Sequence, residues 1–167
     1  MRAEPTSRQA RINHVDMLIR DENAMLTLDD FNNLAFKKLS MRKNVFNISQ
    51  SLPAGGIENW VQWEIIEALN DAGHKTELKG KVAIGCDIIV DDEIYLEIRT
   101  ASNGYIGWLI NAIEKHHNAN LYLFTYFNRE GSDAKKRFES YLETNSFIHK
   151  SGNLTPSMVM TVAKRRP

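Results

Sequence analysis

Two acidic side chains, Asp87 and Glu97, lie ten positions apart in a stretch whose pattern is typical of a β-hairpin. An apolar run over 88–90 precedes an acidic turn over 91–93, and a second alternating run begins at Ile94. With a loop of three residues, Asp87 lies directly opposite Glu97, where facing Cβ atoms are roughly 4.5–5.5 Å apart. Two carboxylates so placed repel each other unless a positive charge lies between them. A divalent metal ion would supply that charge, so the pair predicts a metal site.

The register of the hairpin decides whether the two acids meet. A two-residue loop at Asp91 and Asp92 would place them on opposite faces of the ribbon and scatter the apolar residues. The three-residue loop instead makes the other side of the ribbon entirely apolar, through the pairs Val90 with Ile94, Ile88 with Leu96, and Cys86 with Ile98. The plain alternative to a site is a half-buried hairpin with an acidic outer face.

Length and composition indicate an ordinary globular chain. The 167 residues are 43% hydrophobic and 25% charged, which favours one large domain with at most a small appendage. The single cysteine, Cys86, cannot form an internal disulfide, and we interpret it as core packing. No apolar run is long enough to cross a membrane, and residues 1–5 lack a signal-peptide core. We therefore expect a cytoplasmic protein with no membrane partner.

The formal net charge is zero, but the charge is unevenly distributed. Residues 51–128 carry 5 Lys and Arg against 11 Asp and Glu, whereas 1–50 carry 8 against 6 and 129–167 carry 8 against 4. This distribution fits a metal-dependent nuclease, in which cations neutralise the acidic centre and basic flanks hold phosphates. Chance and solubility can give the same distribution. The basic runs at 135–137 and 164–166 are interpreted as solvated charge.

Residues 1–52 are predicted to form a helical N-terminal extension. Apolar spacing predicts helices over 8–20 and from Thr27 to Leu39, followed by a short helix over 45–52. Helical cover for a sheet, or a dimer contact, is favoured over DNA reading by this segment. The faint resemblance to a helix-turn-helix rests on four basic residues ahead of the third helix, namely Lys37, Lys38, Arg42 and Lys43.

The run Pro53–Gly56 breaks the helical pattern, and the main domain is predicted over 57–167. Its periodicities predict an α/β fold in the order helix, three strands, helix, strand, helix, strand. A nearly continuous apolar run over 121–127 is typical of a buried parallel strand. The helices are predicted over 57–72, 105–119 and 132–144, and the strands over 74–84, the two arms of the hairpin, 121–127 and 158–163.

The first helix of this domain carries further acids. At 100° per residue, Glu58 lies on the apolar stripe, Glu64 lies at its edge, and Glu67 turns towards solvent. A carboxylate on a core-facing stripe needs a partner. If the helix lies across the sheet face that bears Asp87 and Glu97, Glu58 or Glu64 would approach the same metal. The alternative is that Glu58 is a first-turn residue favoured by the helix dipole.

Residues 57–128 resemble the PD-(D/E)xK nuclease superfamily, which includes restriction endonucleases and Holliday-junction resolvases. The motif is short, and the element order and hairpin register add to its specificity. The resemblance implies a restriction-endonuclease-like core of helix, three-strand meander, helix and strand, behind the α-helical N-terminal extension. It rests on a fixed order along the chain: a helical glutamate, Gly73, Asp87 at the start of a strand, and Glu97-Ile98-Arg99 on the next.

The resemblance also implies roles for individual residues. Asp87 and Glu97 would bind one or two Mg²⁺ ions, for which Mn²⁺ can substitute. The backbone carbonyl of Ile98 would be a further ligand, and Glu58 or Glu64 would be the helical acid. The implied partner is duplex or branched DNA.

The chain departs from the family at Arg99, where the family usually has lysine. Arginine stays protonated, so it can stabilise charge on the scissile phosphate but cannot act as a base towards the attacking water. Either Arg99 acts electrostatically while the metal lowers the pKa of water, or a lysine from elsewhere contributes, or the site has decayed. The candidate lysines are Lys79, Lys81 and Lys115.

Two other pairs of side chains carry weaker signals. His116 and His117 end the predicted helix and point about 100° apart, which favours a solvated helix end over a shared metal. Trp60 and Trp63 are interpreted as core or interface residues rather than as base-stacking platforms.

These observations favour a Mg²⁺-dependent endodeoxyribonuclease of restriction or resolvase type, in which water attacks phosphorus in line. One site per chain and two strands to cut favour a homodimer. The alternative is a non-catalytic module of the same fold that binds nucleic acid or a partner protein, and Arg99 is the main argument for it. An RNA-processing nuclease is a third reading that these residues leave open.

Overall fold

The computed structural model describes residues 25–48, 56–78, 86–101, 105–129 and 131–167. Within these ranges the chain is a mixed α/β protein, as its periodicities predict. The elements follow in the order α1 Leu28–Ser40, α2 Lys43–Ile48, α3 Gly56–Asp71, β1 Thr76–Leu78, β2 Ile88–Val90, β3 Ile94–Ala101, α4 Gly107–Lys115, β4 Leu121–Phe127, α5 Ala134–Thr144, β5 Phe147–Asn153 and β6 Met158–Arg165.

The described strands form a six-stranded mixed sheet in the order β1-β2-β3-β4-β6-β5. Strands β3 and β4 run parallel, and the other neighbouring pairs are antiparallel. The parallel pair needs a crossover connection, which α4 provides. All seven residues of β4 are buried, so the prediction of a buried parallel strand over 121–127 is confirmed.

Helices cover both faces of the sheet. Buried residues of α1 and α3 pack with Leu96, Ile98, Leu121 and Leu123 on one face. Buried residues of α4 and α5 pack with Tyr122, Phe124 and Tyr126 on the other. Because side chains alternate along a strand, neighbouring residues of β3 and β4 contribute to opposite cores.

The hairpin of β2 and β3 has the predicted three-residue turn and register. Val90 pairs with Ile94 and Ile88 pairs with Leu96, so the apolar side of the ribbon faces the core beneath α3. The turn places Asp91 and Asp92 at φ angles of 52° and 61°, a left-handed conformation that aspartate tolerates better than most residues. His74 Nδ1 lies 2.7 Å from Asp91 Oδ2 and fixes the turn.

Helix α1 begins at the predicted capping residue. The Thr27 hydroxyl accepts a hydrogen bond of 3.1 Å from the backbone N–H of Asp30. The helix packs against α3 and β6, and Phe31, Ala35 and Leu39 are buried in the core that those elements share. Helix α1 therefore covers one face of the sheet. The predicted helix over 8–20 lies outside the described residues.

The structure differs from the predictions at several element ends. Strand β1 is described only to Leu78, because residues 79–85 lie outside the described part. Helix α4 spans 107–115 rather than 105–119. Strand β5 was not predicted, since its sequence, Phe-Ile-His-Lys-Ser-Gly-Asn, has few apolar residues. Such a composition suits an edge strand, which is what β5 is.

The two tryptophans of α3 have different environments. Trp60 is half-buried and packs edge-to-face on Phe46, with ring centroids 5.4 Å apart, so its assignment to the core is confirmed. Trp63 is 62% exposed and is not part of the core of this chain. Among the described residues, no helix is both long and apolar enough to cross a membrane.

Candidate functional site

Asp87 and Glu97 line the same cavity of about 490 Å³. Asp87 immediately precedes β2, and its Oδ2 accepts a hydrogen bond of 2.9 Å from the backbone N–H of Ile98. Glu97 lies in the middle of β3 in register with Tyr122, so its side chain points to the face covered by α4. The two carboxylates therefore meet on one surface, as the hairpin register predicts. They are only 4% and 1% exposed, respectively.

Glu97 is the most unusual group in the cavity. Neither of its carboxylate oxygens has a hydrogen-bond partner among the described residues. Arg99 Nη2 lies 2.7 Å from Glu97 Oε1, close enough for charge attraction but not aligned for a hydrogen bond. The pKa of Glu97 is raised to about 8, chiefly by burial and also by the charge of Asp87, while the guanidinium of Arg99 opposes both effects.

Arg99 bridges Glu97 to a third acid, Glu58. Arg99 Nη1 donates to Glu58 Oε1 at 2.7 Å, and the backbone N–H of Thr100 donates to Glu58 Oε2 at 3.2 Å. Arg99 thus supplies part of the positive charge that the facing carboxylates were predicted to need from a metal ion. A partly buried guanidinium held by two carboxylates is strongly oriented, because each charged contact fixes its plane.

Glu58 reaches the site by a route that the sequence argument did not foresee. Helix α3 lies on the sheet face opposite to the one that bears Glu97, so it does not cross the acidic face. Glu58 belongs to the first turn of α3, and this end of the helix lies beside the C-terminal part of β3. From there its carboxylate contacts Arg99 and the backbone of Thr100.

Glu64, the other helical acid that the sequence offered, does not join the cavity. Its carboxylate lies 3.5 Å from Lys38 Nζ and 3.8 Å from Arg42 Nε, on the side of α3 that faces α1. Glu67 is exposed and also pairs with Lys38. Of the acids on α3, only Glu58 lines the cavity with Asp87 and Glu97.

His116 is a cavity residue that sequence reasoning missed. Its interpretation as part of a solvated helix end was wrong, because its Nε2 lies 3.2 Å from Arg99 Nη2 and 3.6 Å from Glu97 Oε1. The sequence spacing could have indicated this position. His116 follows the buried residues Ala112 and Ile113 by four and three positions, which places it on the same face of the helix. His117, by contrast, is exposed.

Helix α4 lines the cavity with three further polar or aromatic side chains: Trp108, Asn111 and Lys115. Lys115 is therefore the candidate lysine that lies beside Arg99 in the described structure. Lys79 and Lys81 lie outside the described residues. The basic residues Lys135 and Arg137 pair with Glu139 and Asp133 on their own helix, as expected for solvated charge.

Carboxylate oxygens are of the ligand type that Mg²⁺ prefers in proteins. Three carboxylates face one guanidinium in the cavity, and the buried oxygens of Glu97 have no hydrogen-bond donor to satisfy them. Within the described ranges, no group of three or more His, Cys, Asp and Glu side chains converges as a metal centre. Mg²⁺ does not require such a group, because it commonly takes one or two carboxylates and keeps several waters.

Comparison of the chain with family models, with curated proteins and with solved structures finds no match in any of the three.

Proposed function

We propose that this protein is a Mg²⁺-dependent endodeoxyribonuclease of the PD-(D/E)xK superfamily, of restriction or resolvase type. The observation that carries the proposal is the meeting of Asp87 and Glu97 on one wall of an open cavity beside Arg99. Two buried carboxylates that line one cavity, with the oxygens of Glu97 lacking donors, favour binding of a cation.

The order of elements supports the finer assignment. Helix α3, strands β1 to β3, helix α4 and strand β4 follow one another as in the restriction-endonuclease-like core. The first turn of α3 contributes Glu58, the start of β2 contributes Asp87, and β3 contributes Glu97 and Arg99. Each acid thus comes from the element that the family motif assigns to it.

In this proposal the acidic residues bind the metal ion and the basic residues contact the phosphate. Asp87 and Glu97 would hold Mg²⁺, and the carbonyl of Ile98 is the expected third protein ligand. Bound Mg²⁺ would lower the pKa of water and neutralise charge on the phosphate. Glu58 orients Arg99, whose guanidinium would stabilise negative charge at the scissile phosphate. Lys115 is a further cation within the same cavity.

The alternative is a non-catalytic module of the same fold that binds nucleic acid or a partner protein. The observation that favours it is the ion pairing of Arg99 with both Glu58 and Glu97, which neutralises part of the site without a metal. In that reading the arginine has replaced the metal as the partner of the carboxylates.

Cleavage of DNA tests the proposal directly. The protein is incubated with supercoiled, linear and four-way-junction DNA, in Mg²⁺ and in EDTA. We expect Mg²⁺-dependent cleavage that Glu97→Gln abolishes and that Glu67→Gln, an exposed acid on α3, leaves unchanged. No cleavage of any of these substrates by the intact protein would contradict the enzymatic assignment.

Calorimetry with Mn²⁺ separates the two functions. An enzyme should bind Mn²⁺ near neutral pH with a stoichiometry of one or two ions per chain and lose this binding in Asp87→Asn. Absence of binding would favour the inert module.

The homodimer is part of the same proposal, because two copies with one site each fit the cutting of two strands with twofold symmetry. Sedimentation equilibrium of the protein with and without DNA measures the stoichiometry. A monomer that makes double-strand breaks would contradict this part of the proposal.

A further inference from the structure

The face of α4 that lines the cavity carries an exposed tryptophan. Trp108 is 54% exposed, and Tyr105, just before the helix, is also exposed. Single exposed aromatic side chains are common on protein surfaces, and Trp108 is distinguished by its position on the cavity wall. The Tyr105 ring packs directly over Gly107, where an added Cβ would lie 2.8 Å from it. Both rings thus lie at the start of α4, and Trp108 lines the cavity wall.

The cavity side of α4 combines three chemistries. Trp108, Asn111 and Lys115 follow at intervals of three and four residues, so they form one stripe of the helix. At 1.5 Å per residue the stripe is about 10 Å long. An aromatic ring, an amide and a cation in this order match the base, base edge and phosphate of a nucleotide.

We propose that this stripe binds an unpaired nucleotide of a polynucleotide beside the candidate site, with Trp108 stacked on the base and Lys115 on a phosphate. The proposal rests on the proposed function and names its substrate class as a strand with unpaired bases. Such strands occur in single-stranded segments, flaps, loops and branch points.

The requirement for an unpaired base follows from stacking. In a continuous duplex both faces of each base are covered by its neighbours, so a protein ring cannot stack on it without unstacking the helix. An unpaired base offers a free face and accepts an aromatic ring whatever its identity. A stacking residue at the rim of a cleavage site therefore selects for disrupted base pairing.

The charges of the cavity make the stacking contact more important. Three acids, Glu58, Asp87 and Glu97, share the cavity with two cations, Arg99 and Lys115, so the metal-free cavity offers a phosphate no net attraction. Binding in the absence of metal must then depend on side chains at the rim. Trp108 supplies a contact that is independent of charge, and Lys115 supplies the nearest cation of α4.

Fluorescence anisotropy in EDTA tests the inference without cleavage. The probes are a fluorescein-labelled 20-mer DNA strand, its duplex, and an RNA strand of the same sequence. Trp108→Ala should weaken binding of single strands about tenfold, since stacking on one base is worth about 1–3 kcal/mol. Binding of the duplex should change less than twofold. Trp108→Phe should retain most of the affinity, because its ring still stacks.

Trp63→Ala is the matched control, because Trp63 is 62% exposed but lies on α3 away from the cavity. It should leave all affinities unchanged. Circular dichroism of each variant shows whether the fold is retained, and Trp108→Phe carries the comparison if the alanine variant unfolds. Binding of the RNA strand with the same dependence on Trp108 supports the proposal and shows that the sugar is not read.

Equal effects of Trp108→Ala and Trp63→Ala, an equal loss for duplex and single strand, or no binding of any strand would overturn the inference. The proposed function fails separately. Cleavage of an intact duplex that is indifferent to Trp108 would overturn the substrate class and leave the nuclease assignment in place. Single-strand binding that depends on Trp108 without any Mg²⁺-dependent cleavage would support the nucleotide-binding stripe and contradict the nuclease assignment.

Discussion

In the proposed enzyme Glu97 would bind the cation, but without a bound cation its burial is energetically unfavourable. Its carboxylate is buried beside Asp87, and the pairing with Arg99 compensates only part of that cost. A buried charge without hydrogen-bond donors destabilises the fold unless a ligand binds it. Active sites often contain such groups, because the arrangement that suits a cation or transition state is unfavourable in its absence.

Glu97→Gln should therefore stabilise the metal-free protein at alkaline pH. A carboxyl whose pKa rises from 4.5 to about 8 holds its proton more tightly in the folded state, so its contribution to stability is complete below 4.5 and is lost as the pH rises through 8. Because one pKa unit corresponds to about 1.4 kcal/mol, we expect a gain of roughly 2–5 kcal/mol at pH 9. Urea unfolding in EDTA at pH 5 and pH 9 measures it. Glu67→Gln should show no such gain, and a destabilised Glu97→Gln at pH 9 would refute the argument.

Glu58 is a positioning residue in the proposed enzyme, since it acts through Arg99. Glu58→Gln removes the charge that holds the guanidinium and should lower the cleavage rate about tenfold or more, because small displacements of a reacting group are costly. The matched control is Glu64→Gln, an acid on the same helix that pairs with Lys38 outside the cavity. Single-turnover cleavage at saturating DNA separates this effect on rate from an effect on binding. Equal cleavage rates for the two variants would contradict the positioning role of Glu58.

At the scale of elements, the hairpin was predictable and its surroundings were not. The alternation of apolar and acidic residues over 86–99 has one register that buries every apolar side chain, so local pattern alone determined which acids meet. The face on which α3 packs depends instead on contacts with α1 and the rest of the sheet. A sequence window does not contain that information, and the role of Glu58 was anticipated on the wrong geometric grounds.

The other misses have similar causes. Strand β5 lies at the sheet edge and has few apolar residues, so its sequence shows no strand pattern. It is recognised as a strand only by its pairing with β6. The position of His116 follows from the inward stripe of α4, whereas the adjacent pair of histidines, taken alone, indicates a solvated helix end. Trp108 lies outside that stripe, and its proposed role is visible only from its position on the cavity wall.

The contact of α1 with the edge strand is a testable feature of the fold. A Cβ added at Gly152 of β5 would lie 2.7 Å from the Phe36 ring of α1. Gly152→Ala should therefore force the ring or the helix to move and destabilise the protein by about 1–3 kcal/mol. Gly56→Ala, at the start of α3 with nothing within 4 Å of its Cβ position, should be neutral or stabilising. Thermal unfolding of the two variants compares them, and equal unfolding temperatures would contradict the docking of Phe36 on β5.

At the scale of the molecule, the N-terminal helices and the sheet share one core. The sequence divides naturally at residues 53–56, which favours a separable extension over 1–52 and a nuclease-like domain over 57–167. Yet Phe31, Leu39 and Phe46 are buried in the same cluster as residues of α3, β3 and β6. The break in sequence pattern at residues 53–56 therefore does not mark a boundary between two separate cores.

A chain limited to residues 57–167 should consequently fail to fold stably. Burial of one large apolar side chain is worth about 1.5–3 kcal/mol, so loss of the contacts of Phe31, Leu39 and Phe46 approaches the 5–15 kcal/mol that typically holds a domain together. The removal would also expose the apolar face of β6 around Met160 and Val162, which favours aggregation. Circular dichroism and thermal unfolding of the shortened chain against the full chain make the comparison. A cooperative transition at an unchanged temperature would mean that α1 and α2 are an independent appendage, whereas loss of the transition would make them part of the scaffold that positions Glu58 against Arg99.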